Sequence, residues 1–508
     1  VGGFARLWSD VDLFSASLTR DEAIDLYKSA EGQIHNGAID PLVPFATYVG
    51  ADSAQCRANI DKMFGMHCAI LGSTGSGKSG AVAALLHSVL EHKPNGTDLC
   101  RPRIVILDPH GEYGQAFGER AVVYRAYDPN GHEQAQGESI KLPYWLMSAD
   151  EFRSLAIGKT EFEATSQNNV IYKAITYARL VAAGLVNPSP TNYGGAAPVD
   201  GGNPDDPRPK EGVEAQAIVE FDRDKPRPFS LDEMINHITY LQGARVSKTN
   251  TLERIPDGDF TKNFKSILDK LAILRRDPRI NFLMANWDAD APTLSEVLTQ
   301  FISNPQTGDN KKKDIRILDI SGLPNEVAGP LAGMLARLLF QYKLYQTSDE
   351  RKKDPILLVC EEAHRYVPDR GEAEYATAQI AIRRIAREGR KYGLSLMLVS
   401  QRPADVESTV ISQCGTWLVL RLTNQADQQH VARFLPDGLS GMTKVLPNLA
   451  QQEAIFVGEG ASLPARVRIR NLTSHQLPRS QSAKFAEGWS SLGVSGAELE
   501  AIVNRMVS

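Results

Sequence analysis

Short apolar runs recur along the chain, separated by stretches with helical periodicity. The runs Cys68–Leu71, Arg103–Asp108, Ile315–Ile320, Ile356–Cys360, Ser395–Ser400 and Thr416–Leu422 have the length and composition of buried strands. Such strands alternating with helices predict a mainly parallel sheet covered on both faces. Near the end, Ala454–Val457 and Ala465–Ile469 flank Gly458, Gly460 and Pro464, which predicts a short antiparallel extension. Between Asp108 and Ile315 the pattern turns helical. Ser148-x-x-Glu151, Ser230-x-x-Glu233 and Thr293-x-x-Glu296 each have the form of a capping box opening a helix. Asn187–Gly212 is dense in Pro, Gly and Asp and reads as a surface loop. The expected organisation is an N-terminal segment (1–55), a first core part (56–140), a helical insertion (141–305) with its loop at 187–212, a second core part (306–470) and a helical tail (471–508).

Composition narrows the class. A chain of 508 residues with 42% hydrophobic and 23% charged residues suits a globular protein of two to three domains. The formal net charge of −5 provides no general basic field, so any nucleic-acid contact must come from a local patch. Five cysteines, an odd number without a CxxC pair, read as reduced thiols in a cytoplasmic protein. No apolar run approaches the roughly 18–20 residues of a membrane helix. The best candidate, Leu331–Phe340, is interrupted by Arg337. The sequence opens on Val1 rather than Met, leaving room for a preceding domain or targeting segment.

The sharpest chemical signal is "GSTGSGKSG", residues Gly72, Ser73, Thr74, Gly75, Ser76, Gly77, Lys78, Ser79 and Gly80. It fits G-x-x-x-x-G-K-[ST], with a strand-like run before it and a helical run, Ala81–Glu91, after it. Glycines let backbone N–H groups wrap a phosphate, Lys78 reaches the β/γ-phosphates and Ser79 coordinates Mg²⁺. "ILLVCEEAH" at Ile356–His364 is a buried strand ending in two acids, the Walker B arrangement. Glu361 is expected to hold Mg²⁺ through water and Glu362 to orient the attacking water. Gln401 ends the next strand and can sense the γ-phosphate. On the segment between them, Arg383, Arg387 and Arg390 or Lys391 share one helical face. That face can be simply solvated, contact DNA, or reach a neighbouring subunit's γ-phosphate.

"ILDPHGEY", Ile106–Tyr113, contains Asp108-x-x-Gly111, a pattern shared with GTPase switches. A GTPase also needs an Asn-Lys-x-Asp base reader, which the chain lacks. An ABC ATPase needs Leu-Ser-Gly-Gly-Gln, which "LSGMT" at Leu439–Thr443 does not supply. Asp108 therefore reads as an acid at a second strand end beside the phosphate site, and His110 and His364 as hydrogen-bonded supports.

Six ordered segments, "GSTGSGKS", "ILDPHGEY", "LPYWLMSADEF", "ILDISGLP", "VCEEAHRYVP" and "REGRKYGLSLMLVSQRP", make the chain from about Pro41 to Arg470 similar to the HerA-type ATPases of the HerA–FtsK superfamily. The resemblance implies a RecA-like P-loop NTPase core with a helical insertion, using ATP and Mg²⁺ and assembled as a homo-hexamer around double-stranded DNA. It also implies support of the active site by Asp108 and Glu112, and a trans-acting finger at Arg387, with Arg390 and Arg384 behind it. The family's N-terminal β-barrel is not recognisable, and residues 1–40 are short for one. Family members work with nucleases in DNA end processing, or with nucleases or Sir2-type NADases in anti-phage defence. The alternative is a scaffold ring that assembles and activates such an effector without processive movement.

Overall fold

The computed structural model describes residues 20–31, 39–127, 137–157, 164–191, 205–246, 252–285, 287, 291–302, 313–369, 376–434, 440–479, 485–490 and 493–507. The first nineteen residues and 192–204 of the expected surface loop lie outside the described residues.

Fourteen strands are described: β1 (Leu42–Tyr48), β2 (Ala51–Asn59), β3 (Cys68–Leu71), β4 (Arg103–Asp108), β5 (Ala121–Arg125), β6 (Glu138–Ser139), β7 (Ala244–Val246), β8 (Leu252–Arg254), β9 (Ile315–Asp319), β10 (Ile356–Cys360), β11 (Leu394–Ser400), β12 (Thr416–Val419), β13 (Glu453–Gly458) and β14 (Ala465–Ile469). Twelve form one sheet in the order β2-β1-β14-β13-β12-β3-β11-β10-β4-β9-β5-β6, and β7 and β8 form a separate hairpin. From β12 to β6 every neighbouring pair is parallel. From β12 to β2 every pair is antiparallel. The sheet is thus α/β and mainly parallel, with an antiparallel wing that joins the C-terminal β13 and β14 to β1 and β2.

Unbroken apolar runs suit the central strands because both faces are covered. Ala69, Leu71, Leu358, Cys360, Leu396 and Leu398 enter one hydrophobic cluster; Cys68, Ile70, Leu357, Val359, Met397 and Val399 enter the other. This is the period-two alternation of a strand buried on both sides. The helix Lys78–Glu91 covers the second face, while Asn325–Tyr345 and Ala376–Tyr392 cover the first.

Residues between Asp108 and Ile315 include the helices Ala149–Ile157, Ala164–Ala182 and Ser266–Arg276, plus the β7–β8 hairpin that the sequence did not signal. Phe152, Ile171 and Leu271 join the same cluster as the first sheet face. Two capping boxes close reciprocally, at Ser148/Glu151 and Thr293/Glu296. At Ser230 only half forms, because the Glu233 carboxylate accepts from the Ser189 N–H at 2.8 Å instead. Arg337 is no mere interruption of an apolar run. Its guanidinium donates twice to Glu151, each at 2.8 Å, and to the Leu146 carbonyl at 2.6 Å, pinning the long helix to the inserted segment. Among the described residues no helix is long and apolar enough to cross a membrane.

Candidate active site

Register brings the acids level. Cys360 pairs with Leu107 and Asp108 with Asp319, so β4, β9 and β10 end on one edge of the sheet. Leu71 of β3 pairs with Ser400 of β11, which puts the phosphate loop on that edge too. Carboxyl ends of parallel strands are where open α/β sheets place their ligands.

The loop after β3 is shaped by two glycines. A Cβ at Gly72 would lie 2.5 Å from the Ser76 hydroxyl and 2.9 Å from Leu420 Cβ, so no side chain fits. Gly77 has φ 95° and precedes the helix Lys78–Glu91, a left-handed backbone that glycine adopts without steric cost. The loop is fixed from outside. Gly72 N–H donates to the Ser400 carbonyl at 3.2 Å and Ser73 N–H to that of Arg421 at 2.9 Å. The helix then presents its unpaired N–H groups and positive dipole end to the loop.

Lys78 is buried, and its ammonium donates to the Ser73 carbonyl at 3.4 Å. Burial lowers its pKa, opposed by Glu362, Glu361 and Glu112 around it. Ser79 Oγ donates to Glu112 Oε2 at 2.6 Å. Thr74 Oγ1 donates to Gln401 Oε1 at 2.6 Å, tying the loop to the end of β11.

The segment after β4 supports the acids. Asp108 accepts from the N–H groups of His110 at 3.2 Å and Tyr113 at 3.0 Å, bending the chain so that Glu112 meets Ser79. Burial pushes the Asp108 carboxyl up to about 6, against the lowering effect of those N–H donors. The fully buried Tyr113 donates its hydroxyl to Glu361 Oε1. Glu361 is pushed up to about 8, first by burial, with Asp108, Glu362 and Glu112 adding to it and the Tyr113 hydrogen bond opposing.

Glu362 differs from its neighbour. Its backbone is left-handed (φ 53°, ψ 50°), a conformation that costs a non-glycine residue on the order of 1 kcal/mol or more. The turn carries its carboxylate into the cleft. Oε2 is buried without a hydrogen bond, although His364 Nδ1 stands 3.3 Å away; His110 Nε2 is 3.7 Å from Oε1. His364 is itself held by the Ser400 hydroxyl at 3.3 Å.

These groups border one cleft of about 770 Å³, in the size range of a small-molecule site. Thr74, Gly75, Gly77, Lys78, Ser79, Gly80, Asp108, Glu112, Glu361, Glu362 and Gln401 line it. Gly72, Ser73 and Ser76 brace the loop behind. Arg387 and Arg390 do not border the cleft; both project, exposed, from the helix Ala376–Tyr392. Sequence reasoning missed the opposite wall, formed by Gln451, Gln452, Ile469, Arg470, Leu472, Leu477 and Pro478. The glycine-rich hairpin between β13 and β14 was the available signal, since it returns the chain to this edge. Among the described residues no three acidic, His or Cys side chains converge to hold a metal unaided. Mg²⁺ commonly takes one or two protein oxygens and completes its shell with phosphate and water, which the Ser79–Glu112 pair suits.

The family model described as the central domain of the helicase HerA matches residues 47–339. A probable DNA double-strand break repair helicase HerA of Methanocaldococcus jannaschii is 24% identical over 444 residues, covering 82% of this chain and 74% of that protein. A DNA double-strand break repair helicase HerA of Saccharolobus solfataricus is 23% identical over 475 residues, covering 91% and 74%. Among solved structures, VirB4 of Thermoanaerobacter pseudethanolicus aligns with TM-score 0.50 at 14% identity, covering 87% of this chain and 99% of that one. The plasmid coupling protein TrwB, in complex with a non-hydrolysable ATP analogue, aligns with TM-score 0.50 at 14% identity over 91% and 94%. At that identity the likeness concerns the fold.

Proposed function

The chain belongs to the HerA helicase family, whose central-domain model matches more than half of it, and from that premise we propose an ATP-driven translocase of double-stranded DNA working as a homo-hexamer. It is an ATPase of the helicase class. One observation supports the catalytic reading above others. The phosphate loop, the Glu361–Glu362 pair and Gln401 meet in a single cleft at the carboxyl edge of the sheet.

In this reading the loop N–H groups and Lys78 hold the β- and γ-phosphates of ATP. Ser79, Glu112 and Glu361 would hold Mg²⁺, whose charge would offset that of the phosphates. Tyr113 keeps Glu361 in place through its hydroxyl. Glu362 orients the attacking water and accepts its proton. Gln401, tied to Thr74, reports the γ-phosphate to the β11 edge. Arg387 reaches the cleft of the next subunit, where its charge stabilises the transferring phosphoryl group. The motor then feeds DNA to a nuclease or other effector, in DNA end processing or anti-phage defence. The two HerA relatives, a probable and a named DNA double-strand break repair helicase, favour a DNA-end role.

Native mass measurement of the protein purified from its own host tests the assembly. The expected result is a hexamer of this chain, with a second polypeptide bound in fixed ratio. A monomer or dimer that persists with nucleotide and DNA present contradicts the ring.

A further inference from the structure

At the edge of the sheet opposite the cleft, one buried side chain joins the strand of the phosphate loop to the helix that carries Arg387. His67 directly precedes β3 and is 3% exposed. Its Nδ1 accepts from the Leu396 N–H of β11 at 3.0 Å. A backbone N–H can only donate, so Nδ1 is bare and the ring proton sits on Nε2. Nε2 then donates to the Ala386 carbonyl at 3.1 Å, one residue before Arg387 on the helix Ala376–Tyr392. Burial pushes the imidazole down to about 4, opposed by the Ala386 hydrogen bond and helped by the nearby Arg390 charge. The ring is therefore neutral and held in one tautomer.

The surroundings enforce this link. His67 has a left-handed backbone (φ 55°), one of three non-glycine residues with positive φ among the described residues. Such a conformation persists where neighbouring structure over-determines it. The Gly415 N–H donates to the carbonyls of Met66 at 2.8 Å and His67 at 3.1 Å, and the Ser395 hydroxyl donates to the Phe64 carbonyl. The β3–β11 ladder begins one step further on, at Cys68 and Met397. The imidazole thus takes an N–H of β11 that β3 does not reach. On the helix side, a Cβ at Gly389 would collide with the Leu394 carbonyl, so the last turn presses directly on the start of β11. Arg387 leaves the helix between two fixed points, Ala386 and Gly389.

We infer that His67 is a positioning residue for the trans arginine: by tying Ala386 to the base of β3, it sets where Arg387 stands against the neighbouring subunit's phosphates. The inference rests on the proposed role of Arg387 and adds what holds that arginine in place. Because β3 ends in this chain's own phosphate loop, loop and arginine share one anchor.

His67→Asn separates the two hydrogen bonds. Asparagine adopts a left-handed backbone readily and its amide oxygen can take the place of Nδ1, but it is too short to reach Ala386. It is expected to bind a non-hydrolysable ATP analogue within about twofold of the parent while turnover falls about ten- to a hundredfold, the cost of a misplaced charge. His67→Gln, long enough to donate to Ala386, should recover most of that loss. Mixed rings then show which element His67 serves. Lys78→Ala subunits bring a well-placed arginine to the intact loop of His67→Asn, so this mixture should regain part of the turnover. Arg387→Ala subunits bring only an intact loop, so that mixture should not. Rescue by Arg387→Ala, no rescue by Lys78→Ala, lost analogue binding, unchanged turnover in His67→Asn, or an equal loss in His67→Gln each overturns the inference. If Arg387→Ala is itself not rescued by Lys78→Ala, the trans arginine fails, a result separable from the His67 mixtures.

Discussion

Glu362→Gln is expected to bind ATP and assemble like the parent chain while losing turnover by about two to four orders of magnitude. The substitution keeps shape and removes the ability to accept a proton. Three features single out Glu362 over Glu361. Glu361 already accepts the Tyr113 hydroxyl, deep in the sheet, where burial pushes its carboxyl up to about 8. Glu362 instead has a buried oxygen without a hydrogen bond. It is also held in a left-handed backbone, strain of the kind that persists where surrounding structure enforces it, often at active sites. Phosphate release under saturating ATP, beside equilibrium binding of a non-hydrolysable analogue, checks this. Near-normal release moves the base elsewhere.

Arg387→Ala should reduce turnover on the order of a thousandfold, and mixing it with Lys78→Ala subunits should restore part of the loss. Neighbouring arginines on the same helix have work within their own chain. Arg383 is bound to Glu407 at 2.5 Å, and Arg384 lies over the Phe340 ring at 4.4 Å. Arg387 and Arg390 are exposed and border no part of their own chain's cleft. An arginine supplied in trans stabilises charge on the transferring phosphoryl group and is worth roughly three to five orders of magnitude. In a mixed ring some interfaces join an intact phosphate loop from the Arg387→Ala subunit to an intact arginine from the Lys78→Ala subunit. Steady-state ATP turnover across mixing ratios reads the rescue. Its absence at every ratio rules out Arg387 as the trans group.

Much of the phosphate-loop side of the cleft was legible because its signals are local. Gly72, Gly77, Lys78 and Ser79 lie within one loop, and Glu361 and Glu362 directly follow an apolar strand. What escaped depends on distant segments meeting. Tyr113 and Glu361 are 248 residues apart, and only the register of β4 against β10 brings them together. The opposite wall of the cleft comes from far downstream, carried to the phosphate loop by an antiparallel hairpin whose side chains form no motif. Strand β2, "ADSAQCRAN", was missed because it is largely polar and lies at the sheet edge, where no second layer demands an apolar run. Arg337 misled for the converse reason. A charge inside an apolar helix looks like a break until Glu151, far away in sequence, is found to pair with it.

In the proposed function, hydrolysis moves the ring along DNA. Single-molecule tracking of the fully assembled complex on linear duplex measures that directly. The expected result is ATP-dependent movement in one direction, lost in Glu362→Gln. If no directional movement is detected and Lys78→Ala leaves the effector's activity intact, the ring is a scaffold and the motor reading is wrong.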